Sequence, residues 1–248
     1  MPISASPTDW RDLQAQVALI LRECGMDAHI EHVLPLVRGQ ANIDVYATDA
    51  ESVPPSVYLC ECKQWSTAVP QTIVHSFRTV VADAGANFGL LISSAGFQSG
   101  AIHAAANSNV KLLNWEEFQR MFLDRWLKKH LAPSLASISE PLVDYTEPMN
   151  TRIFRKADAL SKEKQLQFIQ LRERYAELAF FALALYMPMS TRCGAALILP
   201  LVRSKHDSKH GLPADLMHET LLRPFLTKLT AHIEHGIREF DAVFGGRA

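Results

Sequence analysis

Several common specialisations are missing from this sequence. Only four cysteines occur among 248 residues, at positions 24, 60, 62 and 193, and no two of them form a CxxC pair. With no secretory-type segment read at the N-terminus either, a disulfide framework is not expected, and a reducing cytoplasm is the expected setting. Ten histidines are present, but none in HxH or HExxH spacing, which argues against a zinc site. Cys60 and Cys62 would share one strand face as small apolar core groups; a metal or redox role is the alternative. No apolar run is long enough for a membrane span. The richest stretch, 176–202, contains Glu177 and is interrupted by Pro188, Ser190, Thr191 and Arg192. Neither half reaches the roughly 18 residues required, so a buried helix followed by a second short element is expected. There is no internal repeat and no low-complexity tract.

Charge of one sign is also lacking. The net charge is −1, so the chain as a whole advertises neither a nucleic-acid nor a membrane surface. The distribution is less even: residues 1–130 carry 10 Lys/Arg against 13 Asp/Glu, and residues 131–248 carry 15 against 13. A basic DNA-facing surface would draw on the second part. With 48% apolar and 21% charged residues the composition is that of an ordinary globular chain, one large domain or a domain with a smaller partner.

Periodicity divides the chain in two. Residues 1–8 read as a loose terminus. A helix follows over 10–24, capped by Thr8 or Asp9 and ended by Gly25. Strands are expected at 28–34, 41–48 and 57–64, with a turn over 35–40. A helix over 70–84, a strand over 87–93, a helix over 97–107, a strand over 110–114 and a helix over 115–130 come next. The late strand–helix–strand unit implies parallel pairing, and the three early strands suit a meander. The fold class expected is α/β, a mixed central sheet covered by helices on both faces. Residues 131–150, marked by Pro133, Pro141 and Pro148, read as a linker. Beyond it strand patterns stop: a helix is expected over 161–187 and another over 213–244, kinked at Pro224. The predicted organisation is therefore 1–130, a linker 131–150, and a helical region 151–248.

Asp44, Glu61 and Lys63 carry the chemistry. Glu61 and Lys63 stand two apart on one predicted strand and project to the same face. If the strand bearing Asp44 pairs alongside, two carboxylates and an ammonium converge. Such a site suits Mg²⁺, with the amine stabilising charge on a phosphate or orienting a water. A purely structural Glu61–Lys63 ion pair is the competing explanation.

Four segments in order then resemble a known family. They are Gln40-Ala41-Asn42-Ile43-Asp44-Val45, Glu61-Cys62-Lys63-Gln64-Trp65, the run from Phe88 to Phe97 with Ala101, and Val110-Lys111-Leu112-Leu113-Asn114. Together they resemble the Mrr-like restriction endonuclease domain of the PD-(D/E)xK nuclease superfamily, over about residues 10–125. The resemblance implies a restriction-endonuclease-like α/β/α core; it does not reach residues 131–248, so the helical C-terminal region that follows rests on periodicity alone. The resemblance also implies an intracellular, Mg²⁺-dependent DNA endonuclease, with Mn²⁺ able to substitute, acting in restriction or anti-phage defence. It carries Asp44, Glu61 and the Cys62 backbone carbonyl over as metal ligands, and Lys63 as the catalytic cation. This chain departs from the family where a first-helix glutamate gives way to Leu13-Gln14, and where the glycines before Asp44 are sparse. That departure keeps open a weakened nucleic-acid-binding module of the same fold; an RNA nuclease would share the chemistry.

Other candidates are weaker. Gln14 and Gln71 are possible supporting residues, and His75 a proton carrier or a surface histidine. Ser93 and Ser94 could meet a phosphate at a helix N-terminus or simply cap it. Arg203, Lys205, His206, Lys209 and His210 form a basic loop, and Arg152, Arg155 and Lys156 a second cluster; each is a DNA contact or solvated surface. The partners expected are DNA, a second copy in a homodimer or higher homo-oligomer, and a regulatory protein, with no membrane.

Overall fold

The computed structural model describes residues 2–37, 39–187, 197–201 and 211–246. They fall into two units: Ala5–His130, and the residues from Leu131 onward together with those up to Ser4.

The first unit is the expected α/β sandwich. Its elements are α1 (Trp10–Glu23), β1 (Asp27–Leu36), β2 (Gly39–Asp49), β3 (Ser56–Lys63), α2 (Gln71–Asp83), β4 (Phe88–Ser93), α3 (Ser99–Ala105), β5 (Val110–Leu113) and α4 (Trp115–Trp126), followed by a π-helical turn, Leu127–Leu131. The five strands lie in sequence order. β1–β2 and β2–β3 are antiparallel, whereas β3–β4 and β4–β5 are parallel. The parallel half follows from the helices that intervene, since a parallel pair needs a crossover connection. Strand β1 continues through Pro35, so the predicted turn over 35–40 shrinks to the positions around Val37. Pairing of Pro35 with Gln40 and of Leu36 with Gly39 supplies the reason: the hairpin ladder runs to its tip.

Each face of the sheet is covered as its alternation demands. Leu59 and Leu91 meet Val74, Phe77 and Val81 of α2 and Ala101 of α3 in one core. On the other face α1 contacts β1, β2 and β3, while α4 contacts β4 and β5, with Phe122 set 6.3 Å from Tyr58. Gly89 is required by this packing. A Cβ there would come within 2.7 Å of Val81 and 2.9 Å of Val110, closer than side chains tolerate. Local signals fix the helix ends. The Asp9 carboxylate accepts from Asp12 N–H at 2.9 Å, and Asn114 with Glu117 forms a reciprocal capping box. Gly25, at φ +82°, takes the left-handed position after α1.

The second unit is helical: α5 (Ala132–Thr146), α6 (Thr151–Asp158), α7 (Lys162–Tyr186), the short α8 (Ala214–Met217) and α9 (Leu222–Phe244). Three expectations are corrected here. The stretch 131–150 is not a linker but mostly helix α5. Its prolines mislead because Pro133 sits in the first turn, where no N–H bond is lost, and Leu135, Leu142 and Tyr145 still form a buried stripe. The single helix predicted over 213–244 is two, and Pro224 does not kink the second. It lies in the first turn of α9, where a missing donor costs nothing. Nor are the first residues loose. Pro2 and Ile3 accept hydrogen bonds from Leu222 and Arg223 N–H at 3.1 and 2.9 Å, satisfying two orphan donors of α9. Within this unit α9 contacts α5 and α7, and its Phe225, Leu229, Ile233 and Phe240 are fully buried.

Candidate active site

β2 and β3 bring the predicted residues together, although not through an unbroken ladder. Their backbone pairing runs from Asp49–Ser56 to Val45–Cys60 and stops there. Just beyond, Asp44 Oδ2 accepts from Cys62 N–H at 2.7 Å, so a carboxylate takes up a donor on the neighbouring strand. Gln14, 5% exposed on α1, donates its Nε2 to Asp44 Oδ1 at 2.8 Å. Both oxygens of Asp44 are thus oriented. Lys63 Nζ donates to Glu61 Oε1 in an ion pair whose side chains are only 18% and 22% exposed.

The electrostatics of this cluster are unbalanced. Desolvation is the largest cause raising the Glu61 pKa above the ordinary 4.5, the Asp44 charge adds to it, and the Lys63 bond only partly offsets both. Two carboxylates share a half-buried place with a single ammonium. A cavity of about 650 Å³ opens beside them, lined by Asp44, Cys62 and Lys63 together with Trp10, Gln14, Glu31, Asn42, Ile43, Gln64 and Trp65.

Two hard carboxylates and a backbone carbonyl are the oxygen donors that Mg²⁺ takes, and their mutual repulsion is what a divalent cation relieves, so the residues present fit the ion. Among the described residues no group of three or more His, Cys, Asp or Glu side chains could hold a metal. Cys24, Cys60 and Cys62 are buried free thiols. Desolvation pushes the Cys24 pKa up to about 12 and raises those of Cys60 and Cys62, which makes all three core groups.

Residues 6–122 match the family model Mrr_cat, described as restriction endonuclease. This segment belongs to that family. No curated protein matches the chain. A solved structure, the crystal structure of a protein of unknown function, aligns over 96% of this chain and 99% of its own at 13% identity, with a TM-score of 0.39. The restriction endonuclease segment contains Asp44, Glu61 and Lys63, and its family places a nuclease fold in the first unit.

The remaining candidates separate from the site. Gln71 Nε2 lies 2.9 Å from His75 Nε2 on the exposed side of α2 and does not line the cavity. Ser94 Oγ donates to the Trp65 carbonyl at 2.8 Å, and its N–H to that of Lys63 at 3.1 Å, so it secures the end of β3. Ser93, fully buried, donates to Gly96 O at 3.1 Å. Neither serine caps α3, whose N-cap is Gln98. Arg152 pairs with Asp144 at 2.9 Å, and Arg155 and Lys156 are exposed on α6. Arg203, Lys205, His206, Lys209 and His210 lie outside the described residues.

Sequence reasoning passed over Trp10, Glu31 and Asn42. Glu31 alone carried no motif, and nothing in a linear pattern announces that its backbone sits at φ +51°. The rank of Trp10 as a first helical residue made it read as part of a helix and not of a cavity wall.

Proposed function

We propose that the chain is a Mg²⁺-dependent endonuclease that hydrolyses phosphodiester bonds of DNA, in restriction or defence against foreign DNA. The observation that carries this reading is one open cavity lined by Asp44 and Lys63, with Glu61 ion-paired to Lys63, inside the restriction endonuclease segment. Asp44, Glu61 and the Cys62 carbonyl would hold the ion. When bound, Mg²⁺ supplies Lewis-acid stabilisation of phosphoryl charge and lowers the pKa of a bound water. Gln14 orients Asp44 through its bond to Oδ1, and Cys62 N–H fixes the other oxygen. Lys63 exchanges its bond to Glu61 for the scissile phosphate and stabilises the charge that develops there. The helical region would contribute dimerisation, DNA contact or control by a partner. Exposed Leu166, Ile169 and Phe180 on α7 suit a homo-oligomeric contact. No described helix is long and apolar enough to cross a membrane, and a cytoplasmic location belongs to the same reading.

One observation favours a second reading. Gln14 puts an amide against Asp44 where the family carries an acid, which lowers the negative charge available to a metal. A binding module that no longer cuts would follow. Incubating supercoiled plasmid with the protein and Mg²⁺, Mn²⁺ or EDTA separates the two, with a structured RNA alongside. Nicking or linearisation that EDTA stops is the expected result. Plasmid binding without cleavage in either metal, at any pH, selects the binding module; cleavage of the RNA alone makes it a ribonuclease.

A further inference from the structure

The four tryptophans of this chain divide evenly. Trp115 and Trp126, 9% and 0% exposed, are core residues, and their indole N–H groups reach Ala5 O and Glu23. Trp10 and Trp65 are 42% and 40% exposed, and both line the cavity beside Asp44 and Lys63. Leaving two indoles half in water forfeits hydrophobic stabilisation that burial would supply, and each ring keeps a cation beside it, Arg11 at 4.3 Å from the Trp10 centroid and Lys63 at 5.7 Å from that of Trp65. Phe88, also 39% exposed, is accounted for by stacking on Tyr58 at 4.9 Å.

The polar part of the same wall is unusual too. Asn42 and Gln64 bring amides and Glu31 a carboxylate, the groups that pair with the edge of a nucleobase. Glu31 holds the left-handed backbone region, φ +51°, at the point where the β1–β2 ladder omits its pairing with Asp44. A non-glycine residue held there is strained, and strain of this kind persists where a site over-determines it. Aromatic faces beside edge-reading amides describe a pocket for a base that has left its stack. In continuous duplex DNA both faces of a base are already covered, so the tryptophans would have nothing to stack on. Lys63 Nζ lies 5.7 Å from the Trp65 ring centroid, so a nucleotide whose phosphate meets Lys63 can bring an adjacent base to that ring. A volume of about 650 Å³ is ample for one.

We infer that Trp10 and Trp65 form a stacking site for an unstacked base next to the scissile phosphate, so that the preferred substrate is DNA with single-stranded character, such as a gap. The inference rests on the nuclease reading above and names its substrate class. Binding in EDTA tests it without cleavage. The full-length protein is titrated with a DNA duplex carrying a short gap with 2-aminopurine in it, and with the continuous duplex of the same sequence. The gapped DNA should bind about tenfold tighter, the scale of one stacked base, and the 2-aminopurine emission should fall as it stacks. Trp10→Ala and Trp65→Ala should each bring the affinity ratio toward one and restore the emission, while Trp10→Phe and Trp65→Phe keep both effects. Thermal melting confirms that the variants are folded. Equal affinity of the wild-type protein for both DNAs, or a preference that survives both alanine variants, overturns the inference. A parallel digestion in Mg²⁺ keeps the two ideas apart: cutting of gapped and continuous DNA at one rate sinks the stacking site alone. A gap preference with no cleavage of any DNA sinks the nuclease and leaves the stacking site standing.

Discussion

Two acid–base pairs in the first unit look alike on paper and behave in opposite ways. Asp49, at the end of β2, is 1% exposed, yet hydrogen bonds from Arg125 and from Glu51 and Ser52 N–H outweigh its desolvation and hold its pKa below the ordinary value. Arg125 Nη2 donates to Asp49 Oδ1 at 2.8 Å and Nε to Cys24 O at 2.7 Å, so the fork ties α4 to β2 and to the end of α1. At Glu61 desolvation is the largest cause, one lysine bond cannot offset it and the Asp44 charge, and the pKa rises. The difference lies in desolvation, which dominates at Glu61, and in the count of donors, which is larger at Asp49. A carboxylate with several donors is settled and holds the fold together, whereas one that shares a single ammonium with a second carboxylate keeps a raised pKa, as the proposed metal site would need. The first arrangement serves stability, and the second leaves room for chemistry.

The largest effect that would sharpen this contrast is Asp44→Ala. It should remove plasmid cleavage in Mg²⁺ to the uncatalysed level, and because Cys62 N–H and the buried Gln14 amide lose their acceptor it should also lower the melting temperature by a few degrees without unfolding the protein. A folded Asp44→Ala protein that still cuts at the wild-type rate ends the assignment of this site.

At the settled pair the outcome should invert. Arg125→Ala strands a buried carboxylate, with an expected loss of about 3–5 kcal/mol of stability by denaturant unfolding. Cleavage per folded molecule should remain. A loss of under about 1 kcal/mol would mean that the fork is not what joins α4 to β2.

Lys63→Ala distinguishes the two pairs directly. If Lys63 acts on the phosphate, single-turnover cleavage should fall by on the order of a hundredfold, with only a small change in melting temperature. Lost stability with unchanged activity per folded molecule would make Glu61–Lys63 a second structural pair and erase the contrast.

Acid should reach the settled pair through Asp49. Its folded pKa is depressed, so its stabilisation is fully present above the unfolded value of 3.8 and is lost as pH falls through the folded pKa. Asp49→Asn should therefore flatten the acid limb of a stability–pH curve below about pH 4. An unchanged limb would show that other carboxylates dominate acid unfolding. The smallest expected effect is at the unsettled site: Mg²⁺ should raise the melting temperature of the wild-type protein by a few degrees and that of Asp44→Ala not at all. Equal shifts in the two proteins would place the ion elsewhere.

Most of the α/β unit was legible because its signals are local. Alternating apolar residues, the Asp9 cap, the Asn114/Glu117 box and Gly25 each act within a few residues of the element they bound. The helical unit was read less well for the same reason. By sequence alone proline reads as punctuation at 133, 141 and 224. Pro133 and Pro224 fall in first turns, and Pro141 lies inside α5, where packing of Leu135, Leu142 and Tyr145 outweighs the lost bond. That carbonyls of the terminus would accept from N–H groups of α9 could not be read from either segment alone, because the partners stand some 220 residues apart in sequence.

By itself the sequence determined the alternation that makes the strands, their mixed pairing through the intervening helices, and the placing of Glu61 and Lys63 on one face. Those are consequences of period and of chain connectivity. Only the tertiary structure decided what Asp44 does. Pairing of β2 with β3 stops at Val45–Cys60, and this frees Cys62 N–H for a carboxylate and lets Gln14 reach it from α1. Only the tertiary structure, likewise, set Trp10, Glu31 and Trp65 around one cavity. Elements distant in the chain must meet before a charge has neighbours, and it is the neighbours that settle whether the pKa of a carboxylate falls, as at Asp49, or rises, as at Glu61.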